Sequence, residues 1–380
     1  MAQHTPSPRR TIALTIFVPA EGLSIWSNGA HQNVYALHAC LSAAGHDVRM
    51  VNGGPGAPPA DASMPEAFRG LTYHRPEDVA GVDLLIEAGA QVSAELVAAV
   101  RAHGGRAVTL KFGNALVIDA ERAIHDKPAG AIFNGAKFDE VWTTSQHEET
   151  CGGYWRTLYR CPVRVLPHVW VPDFVDEVAK ALPNGGRYQP GRPKKRVIIL
   201  EPNLNLVKTC HVPMLIAELA YRQRPDLIDM VIVTNAEHLR SRLPFSTFAN
   251  AMDIAHAKAD DGHPVVSFEA RRSTPYYLSA RGDVVVSHQW IAVPNYSHYD
   301  AMRLGYPIVH NVGRHMPGYP YEGFDCEEGA EALLDALVMH DEGATCGMYT
   351  LRTDAFLAGV NARSAANVLA HAAAVSEVFQ

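Results

Sequence analysis

The chain has 380 residues, of which 47% are hydrophobic and 19% are charged, a composition typical of globular proteins and of neither disordered nor membrane-embedded chains. This length exceeds what one ordinary hydrophobic core serves and therefore predicts two domains. The 33 basic and 40 acidic residues give a net charge of -7, which argues against a nucleic-acid-binding surface, and no apolar run is long enough to cross a bilayer.

Residues 1–10 are predicted to form a flexible tail, although Arg9 and Arg10 precede an apolar run and raise the alternative of an export signal. The run covers only residues 11–18, is β-branched and is followed by no small-residue cleavage site, so a first strand is favoured. The six cysteines are scattered without a C-x-x-C pair, which is typical of reduced thiols in the cytoplasm.

Strands and helices alternate through the first half of the chain. Strands are predicted at residues 11–18, 47–51, 83–87, 107–112, 140–144 and 163–167, with helices at 31–44 and 93–103. This alternation predicts a doubly wound parallel sheet over residues 11–175, with helices on both faces. In such sheets ligands bind outside the carboxyl ends of the strands, so the polar residues that follow strands are candidates for a site.

Acidic residues near these strand ends are candidate general bases. Glu21 lies in the glycine-containing loop after the first strand and is the first choice, the alternative being a solvated loop acid. Glu87 and Asp119 are the next candidates. The loop lacks Gly-x-Gly-x-x-Gly, which argues against a dinucleotide-binding fingerprint.

Residues 176–195 are rich in Pro and Gly and predict a linker. Strands predicted at residues 196–201, 230–234, 264–268, 283–286 and 307–309, with a helix at 212–222, then form a second doubly wound domain over residues 196–353. The alanine-rich residues 354–380 predict a C-terminal helix. The run RPKKR at 192–196 could touch anionic lipid, but such a run in a linker is usually solvated.

Residues 283–312 read as strand, loop, helix and strand. Asn295 and Ser297 are good N-caps, Gly305 suits a C-cap, and Pro307 blocks further helix. The amino end of the helix offers unpaired N–H groups that attract phosphate, and Asp300 lies in the first turns, where a carboxylate could hold a ribose hydroxyl.

The run HYDAMRLGYPIV at 298–309 resembles the donor-site segment of GT-B glycosyltransferases. The segments SIWSNGAHQNV, IEAGAQ, FDEVWTTSQHE and CPVRVLPHVW resemble a bacterial family of GT-B-like proteins catalogued as a domain of unknown function. The resemblance implies two Rossmann-like domains facing a cleft, an acceptor-side domain followed by a nucleotide-sugar-binding domain, and a C-terminal helix that returns to the first domain.

In the family an acid binds the donor ribose and a basic residue binds the diphosphate. The resemblance implies that Asp300 has the first role and Lys208 the second. The alternative for Lys208 is an ordinary solvated surface lysine. Retaining members carry a second acid where this chain has Ala292, so the stereochemical course stays open. The expected donor-binding residues are Asn203, Lys208, Asn295, Tyr296, Ser297, His298 and Asp300. The expected acceptor or cleft residues are Gly22, Asn28, Gly29, Asn114 and His168.

The implied activity is transfer of a hexosyl or related group from a nucleotide-sugar to a glycan, lipid-linked or protein acceptor. No cofactor or metal is expected, because an Asp-x-Asp motif is absent and His288, His298, His310 and His315 match no zinc spacing. The expected location is the cytoplasm, with peripheral association at the inner face of the membrane as an option. The alternatives are a nucleotide-sugar epimerase of the same fold and a non-catalytic nucleotide- or glycan-binding protein.

Overall fold

The computed structural model describes residues 8–26, 29–60, 64–125, 132–291 and 295–380. The chain divides into two compact units, of which the first comprises Met1–Phe174 together with Gly359–Gln380 and the second comprises Val175–Ala358. Each unit has its own sheet and its own hydrophobic core.

The first unit contains a parallel sheet that has seven strands among the described residues, in the order β3-β2-β1-β4-β5-β6-β7. Its strands are β1 Thr11–Ile16, β2 Asp47–Asn52, β3 Tyr73–His74, β4 Leu84–Glu87, β5 Arg106–Lys111, β6 Glu140–Thr143 and β7 Val163–Val165. The helices that connect them are α1 Gly29–Ala43, α2 Ala94–Ala102, α3 Ala115–Ile124 and α4 Ser145–Tyr159, and α5 Asp173–Ala179 spans the boundary between the units. The short strands β3 and β7 lie at the two edges of the sheet.

The core of the first unit lies against the middle of its sheet. Ile12, Leu14 and Ile16 of β1 are completely buried, as expected for a strand covered on both faces. They belong to one apolar cluster with Tyr35 of α1 and with Val375, which lies near the end of the chain. The end of the chain is therefore part of the core of the first unit.

The second unit contains a parallel sheet that has six strands among the described residues, in the order β10-β9-β8-β11-β12-β13. Its strands are β8 Lys195–Ile199, β9 Ile228–Val233, β10 Val266–Phe268, β11 Val284–Val286, β12 Ile308–His310 and β13 Tyr319–Pro320. Its helices are α6 His211–Gln223, α7 Leu243–Asn250, α8 Thr274–Arg281, α9 Tyr296–Arg303, α10 Cys326–Met339 and most of α11 Gly343–Val360. The last helix of the chain, α12 Ala365–Glu377, belongs to the first unit.

The polypeptide rejoins the first unit through a short bridge beside Trp170. The backbone N–H of Trp170 donates to the carbonyl of Val360 at 2.8 Å, and the N–H of Ala362 donates to the carbonyl of Trp170 at 2.8 Å. These contacts and the core position of Val375 confirm the predicted return of the C-terminal helix.

Residues 354–380 are not one helix, because the chain breaks between α11 and α12. Ser364 provides the N-cap of α12, and its side chain accepts a hydrogen bond from the N–H of Asn367. The stretch 176–195, predicted as a linker, includes the end of α5 and the first residue of β8. No helix among the described residues is both long and apolar enough for a membrane span.

Both sheets reverse their strand order at one point. The reversal falls between β1 and β4 in the first unit and between β8 and β11 in the second. Connections that leave neighbouring strands in opposite directions open a crevice at the carboxyl ends, and ligands of doubly wound proteins bind there. The residues that follow these four strands are therefore the best placed to bind a ligand.

Candidate functional site

A buried carboxylate occupies the reversal point of the second sheet. Glu201 follows β8 and is completely buried. It accepts hydrogen bonds from Ser287 Oγ at 2.5 Å, from the backbone N–H of His288 at 3.1 Å and from Gln289 Nε2 at 3.0 Å. Since the three donors follow β11, this carboxylate fixes the loops of the two central strands relative to each other.

Sequence reasoning did not select Glu201, although the sequence carried a signal for it. An acid near the end of an apolar strand is the pattern that singled out Glu87, the last residue of β4, and Glu201 lies two residues after the apolar strand β8. The donors that define its environment lie 86 to 88 residues further along the chain, so its role emerges only in the folded sheet.

Lys208 lies near Glu201, in the loop between β8 and α6, and its side chain is partly exposed. Within the described residues, the Lys208 ammonium makes no hydrogen bond and no direct ion pair. An uncommitted cation with access to solvent can bind an anion such as a phosphate. Lys208 lies at the carboxyl edge of the second sheet, and its role in diphosphate binding stays a prediction.

Burial shifts both of these charges toward their neutral forms. Desolvation raises the pKa of Glu201 to about 7, against the opposing effects of its hydrogen-bond donors and of Lys208. Desolvation likewise is the main cause that lowers the pKa of Lys208 to about 8. Attraction to the charge of Glu201 opposes this lowering of the pKa, and repulsion from Arg271 adds to it. Both groups therefore change protonation state close to neutral pH.

Asn203 shapes the loop that carries Lys208. Its backbone adopts the left-handed conformation, with φ of 53°, which asparagine tolerates better than most residues. Its side-chain amide donates to the carbonyls of Glu201 at 3.0 Å and Thr234 at 3.2 Å, and its Oδ1 accepts from the N–H of Cys210 at 2.8 Å. The side chain that was predicted to bind a donor thus makes contacts that hold the loop in place.

Helix α9 begins at Tyr296, and of the two predicted N-caps, Asn295 and Ser297, it is Asn295 that caps the helix, with Oδ1 accepting from the N–H of Ser297 at 3.4 Å. His298 is completely buried, and its Nε2 lies 2.8 Å from Ser287 Oγ, which connects the helix to Glu201. Burial, with contributions from His310 and Lys208, lowers the pKa of His298 well below its usual value, so its imidazole is neutral.

Several buried polar atoms at this edge have no hydrogen-bond partner within the described residues. Among them are Nδ1 of His298, Nε2 of His288 and Oε1 of Gln289. Unpaired buried polar atoms are costly and commonly mark a place where a ligand or water binds. Residues 292–294, which include the predicted Ala292 position, lie outside the described residues.

Asp300 lies in the second turn of α9 and is 2% exposed. Burial raises the pKa of the Tyr296 phenol well above its usual value, and Tyr299 and the charge of Asp300 add to the shift. Tyr296 is itself buried, with 7% of its surface exposed. The assignment of donor binding to these two residues stays a prediction.

In the first unit, Glu21 is exposed in the loop that follows β1, at the reversal point of the sheet. Its carboxylate makes no hydrogen bond or ion pair within the described part of the chain. Gly22 has φ of 95°, and its N–H donates to the carbonyl of Pro19 at 2.9 Å, which closes a turn that favours glycine. Gly29 is the first residue of α1, and Asn28 lies outside the described residues.

The other two candidate bases are paired with cations. Glu87 is 5% exposed and accepts from Lys111 Nζ at 3.0 Å and from Thr109 Oγ1 at 2.8 Å. Asp119 lies 3.1 Å from an Arg122 guanidinium nitrogen and also accepts from the hydroxyl of Tyr154 at 3.1 Å. Since both of these carboxylates are already bound to cations, Glu21 is the one of the three candidates that remains available to accept a proton from a ligand.

The remaining predicted residues of the first unit have different environments. Asn114 is 1% exposed and caps α3, with Oδ1 accepting from the N–H of Val117 at 3.1 Å. His168 follows β7 and is partly exposed. Within the described residues, no three His, Cys, Asp or Glu side chains lie close enough together to hold a metal ion.

Comparison with known proteins connects this chain to one family. A family model described as "Protein of unknown function (DUF2827)" matches residues 12–375. No curated protein matches the sequence.

Solved structures of GT-B glycosyltransferases are similar over nearly the whole chain. An α,α-trehalose 6-phosphate synthase from Burkholderia multivorans has a TM-score of 0.59 at 13% identity, covering 98% of this chain and 98% of that one. An α-glucosyltransferase in complex with UDP has a TM-score of 0.60 at 9% identity, covering 98% and 100%. HepE from Anabaena, in complex with UDP and glucose, has a TM-score of 0.55 at 12% identity, covering 96% and 98%. These likenesses confirm the GT-B fold.

The shifted pKa of Glu201 makes a prediction for stability. The folded-state pKa of about 7 lies above the ordinary value of 4.5, so folding favours the protonated acid, and this contribution is complete below pH 4.5 and is lost as pH rises through about 7. The full shift corresponds to about 3 kcal/mol. Relative to Glu201→Gln, which cannot titrate, the wild-type free energy of unfolding should therefore fall as pH rises over that range.

Urea denaturation of both proteins at about pH 5 and about pH 7.5 measures this difference. Glu66→Gln, a change at an exposed acid of the first unit, is the matched control, and its free energy of unfolding should differ from that of wild type by the same amount at both pH values, because it keeps Glu201. A difference between wild type and Glu201→Gln that is the same at both pH values would contradict the assignment.

Proposed function

The chain belongs to the DUF2827 family, and we propose that it is a glycosyltransferase that moves a sugar from a nucleotide-sugar to a glycan, lipid-linked or protein acceptor. The observation that carries the proposal is the uncommitted ammonium of Lys208 beside Glu201, at the reversal point of the second sheet. The GT-B fold supports it, as does the presence of UDP in two of the similar structures.

Transfer breaks the bond between the anomeric carbon of the sugar and a phosphate oxygen of the donor. The electron pair stays with the nucleoside diphosphate, which leaves with additional negative charge. In this proposal the Lys208 ammonium and the positive end of the α9 dipole stabilise that charge. The chain's own groups supply this stabilisation, so the proposal needs no metal ion.

Glu201 acts in this scheme by holding other groups in place. Its hydrogen bonds fix the loop after β11, and Ser287 links that loop to His298 on α9. Its negative charge also favours the ammonium form of Lys208, in opposition to burial. Because these groups are already held in position, little free energy is needed to rearrange them when the diphosphate binds.

On the donor side we assign the ribose contact to Asp300, following the GT-B resemblance. On the acceptor side we assign the general base to Glu21, at the reversal point of the first sheet, whose carboxylate has no partner among the described residues. A base of this kind removes the proton of the acceptor hydroxyl as the new glycosidic bond forms.

The charge on Lys208 makes a prediction for donor binding. Lys208→Met removes the cation but keeps a side chain of similar length, and a lost charged contact to phosphate should weaken UDP binding roughly tenfold or more at pH 7. Because the pKa of Lys208 is lowered to about 8, the wild-type affinity should also decrease as pH rises from 7 to 9. Isothermal titration calorimetry with UDP measures both effects.

Lys258→Met, a change at an exposed lysine of the same unit, is the matched control and should leave the affinity unchanged. At pH 8 wild-type binding should be accompanied by proton uptake, seen as a dependence of the heat on buffer ionisation enthalpy, and Lys208→Met should lack that uptake. Equal UDP affinities for Lys208→Met and wild type would remove Lys208 from the site.

The assigned base makes a separate prediction for turnover. Glu21→Gln should bind UDP as wild type does, while the rate of UDP release from UDP-sugars with water as acceptor falls about 10²- to 10⁴-fold. The assay follows released UDP across a panel of UDP-sugars, with Glu66→Gln as the exposed-acid control. Wild-type turnover in Glu21→Gln would show that another group accepts the proton.

A further inference from the structure

We propose that the second unit carries a separate binding site for a phosphate-bearing ligand, at the amino edge of its sheet. A cavity of about 400 Å³ lies there, and its charged lining residues are Arg187, Arg192, Arg196 and Asp283. This volume falls in the range of about 300–1,000 Å³ that is usual for small-molecule sites.

The cavity is distinct from the candidate site around Lys208. It is lined by the stretch before β8, by the end of α8 and by the start of β11, whereas Glu201 and Lys208 follow the carboxyl end of β8. A strand of five residues at about 3.3 Å per residue separates the two edges by roughly 16 Å. A ligand in the cavity would therefore not touch the Lys208 ammonium.

One guanidinium of the cavity is fully engaged by the protein. Asp283 is 5% exposed, and its Oδ2 accepts from Arg196 Nε at 3.0 Å and from the backbone N–H of Arg196 at 2.9 Å. The terminal nitrogens of Arg196 donate to the carbonyls of Ala280 and Gly282 and to Asp283 Oδ1. Arg196 and Asp283 thus neutralise each other and form the floor of the cavity.

The other two guanidinium groups retain free donors. Among the residues that the structure describes, the Arg192 guanidinium makes one contact, from Nε to Asp283 Oδ2 at 3.2 Å, and its side chain is 46% exposed. Arg187 is exposed, and within the described residues its guanidinium makes no hydrogen bond or ion pair. The lining residues include three guanidinium groups and one carboxylate, so they carry two more positive charges than negative charges.

The segment that carries these arginines is held in shape before any ligand binds. Pro183, Pro190 and Pro193 restrict its backbone, and the N–H of Gly191 donates to Asp341 Oδ2 at 2.8 Å. The neighbouring lysines of the basic run are paired, Lys194 with Asp260 and Lys195 with Asp341. The free positive charge of this segment is therefore concentrated at the cavity.

This arrangement favours a phosphate ester as ligand. A planar guanidinium donates two parallel hydrogen bonds to a phosphate, and two guanidinium groups with free donors match a doubly charged group. The phosphate can belong to a small phosphorylated metabolite or to the headgroup of an anionic lipid. Both sources present the same chemistry to Arg187 and Arg192.

Protection from phenylglyoxal, which modifies accessible arginines, tests the site directly in the full-length protein. Inorganic pyrophosphate at a concentration well above its dissociation constant should slow modification of Arg187 and Arg192 roughly tenfold. Arg352, an exposed arginine on α11, should react at the same rate with and without pyrophosphate. Sodium chloride at equal ionic strength controls for screening, and mass spectrometry of peptides gives the rate at each residue.

Vesicle sedimentation distinguishes the two sources of phosphate. If the ligand is a lipid headgroup, vesicles of phosphatidylglycerol and phosphatidylcholine should retain the wild type, and phosphatidylcholine vesicles should not. The double variant Arg187→Gln/Arg192→Gln should lose this retention, while Arg240→Gln/Arg352→Gln, with the same loss of charge at exposed positions, should keep it.

Protection by pyrophosphate without retention on vesicles would identify a small phosphorylated ligand. Unprotected Arg187 and Arg192, together with equal vesicle retention of the two double variants, would overturn the proposal. Since Arg187 and Arg192 are at the surface, the fold of the double variant should be intact, and circular dichroism checks it.

Discussion

The carboxyl edge of the second sheet is organised around one buried acid, Glu201. Removing a carboxylate from water is costly, and this one is compensated by hydrogen bonds from Ser287, from the N–H of His288 and from Gln289. Those bonds tie the loop after β8 to the loop after β11, where the strand order of the sheet reverses. The same carboxylate stabilises the cationic form of Lys208, so one interaction sets both the shape and the charge of the edge.

The two charged sites of the second unit share one arrangement, a buried acid with a cation near it. At each edge of the sheet a buried acid, Glu201 or Asp283, is satisfied by donors from neighbouring elements. Near each acid lies a cation whose donors are free of partners in the described part of the chain, Lys208 at the carboxyl edge and Arg187 at the amino edge. The buried acid gives order to the local backbone, and the free cation remains available to an anionic ligand.

Hydrophobic pattern and capping chemistry were enough to predict much of the fold. Valine-rich runs predicted the central strands, and the capping residue Asn295 predicted the start of α9. Both signals could be used because each depends only on residues that are neighbours in the sequence. The strands β3 and β13 have two residues each, too few to show a period. The role of Glu201 was not predictable, because Glu87 has the same local pattern yet pairs with Lys111, and only the tertiary contacts distinguish the two acids.

A crystal structure of the protein with UDP would locate the diphosphate. We expect the diphosphate to lie within hydrogen-bonding distance, about 2.7–3.2 Å, of Lys208 Nζ and beside the amino end of α9. We also expect the hydrogen bonds of Glu201 to be unchanged in the complex. UDP bound away from the carboxyl ends of β8 and β11, or a diphosphate without contact to Lys208, would contradict the proposal.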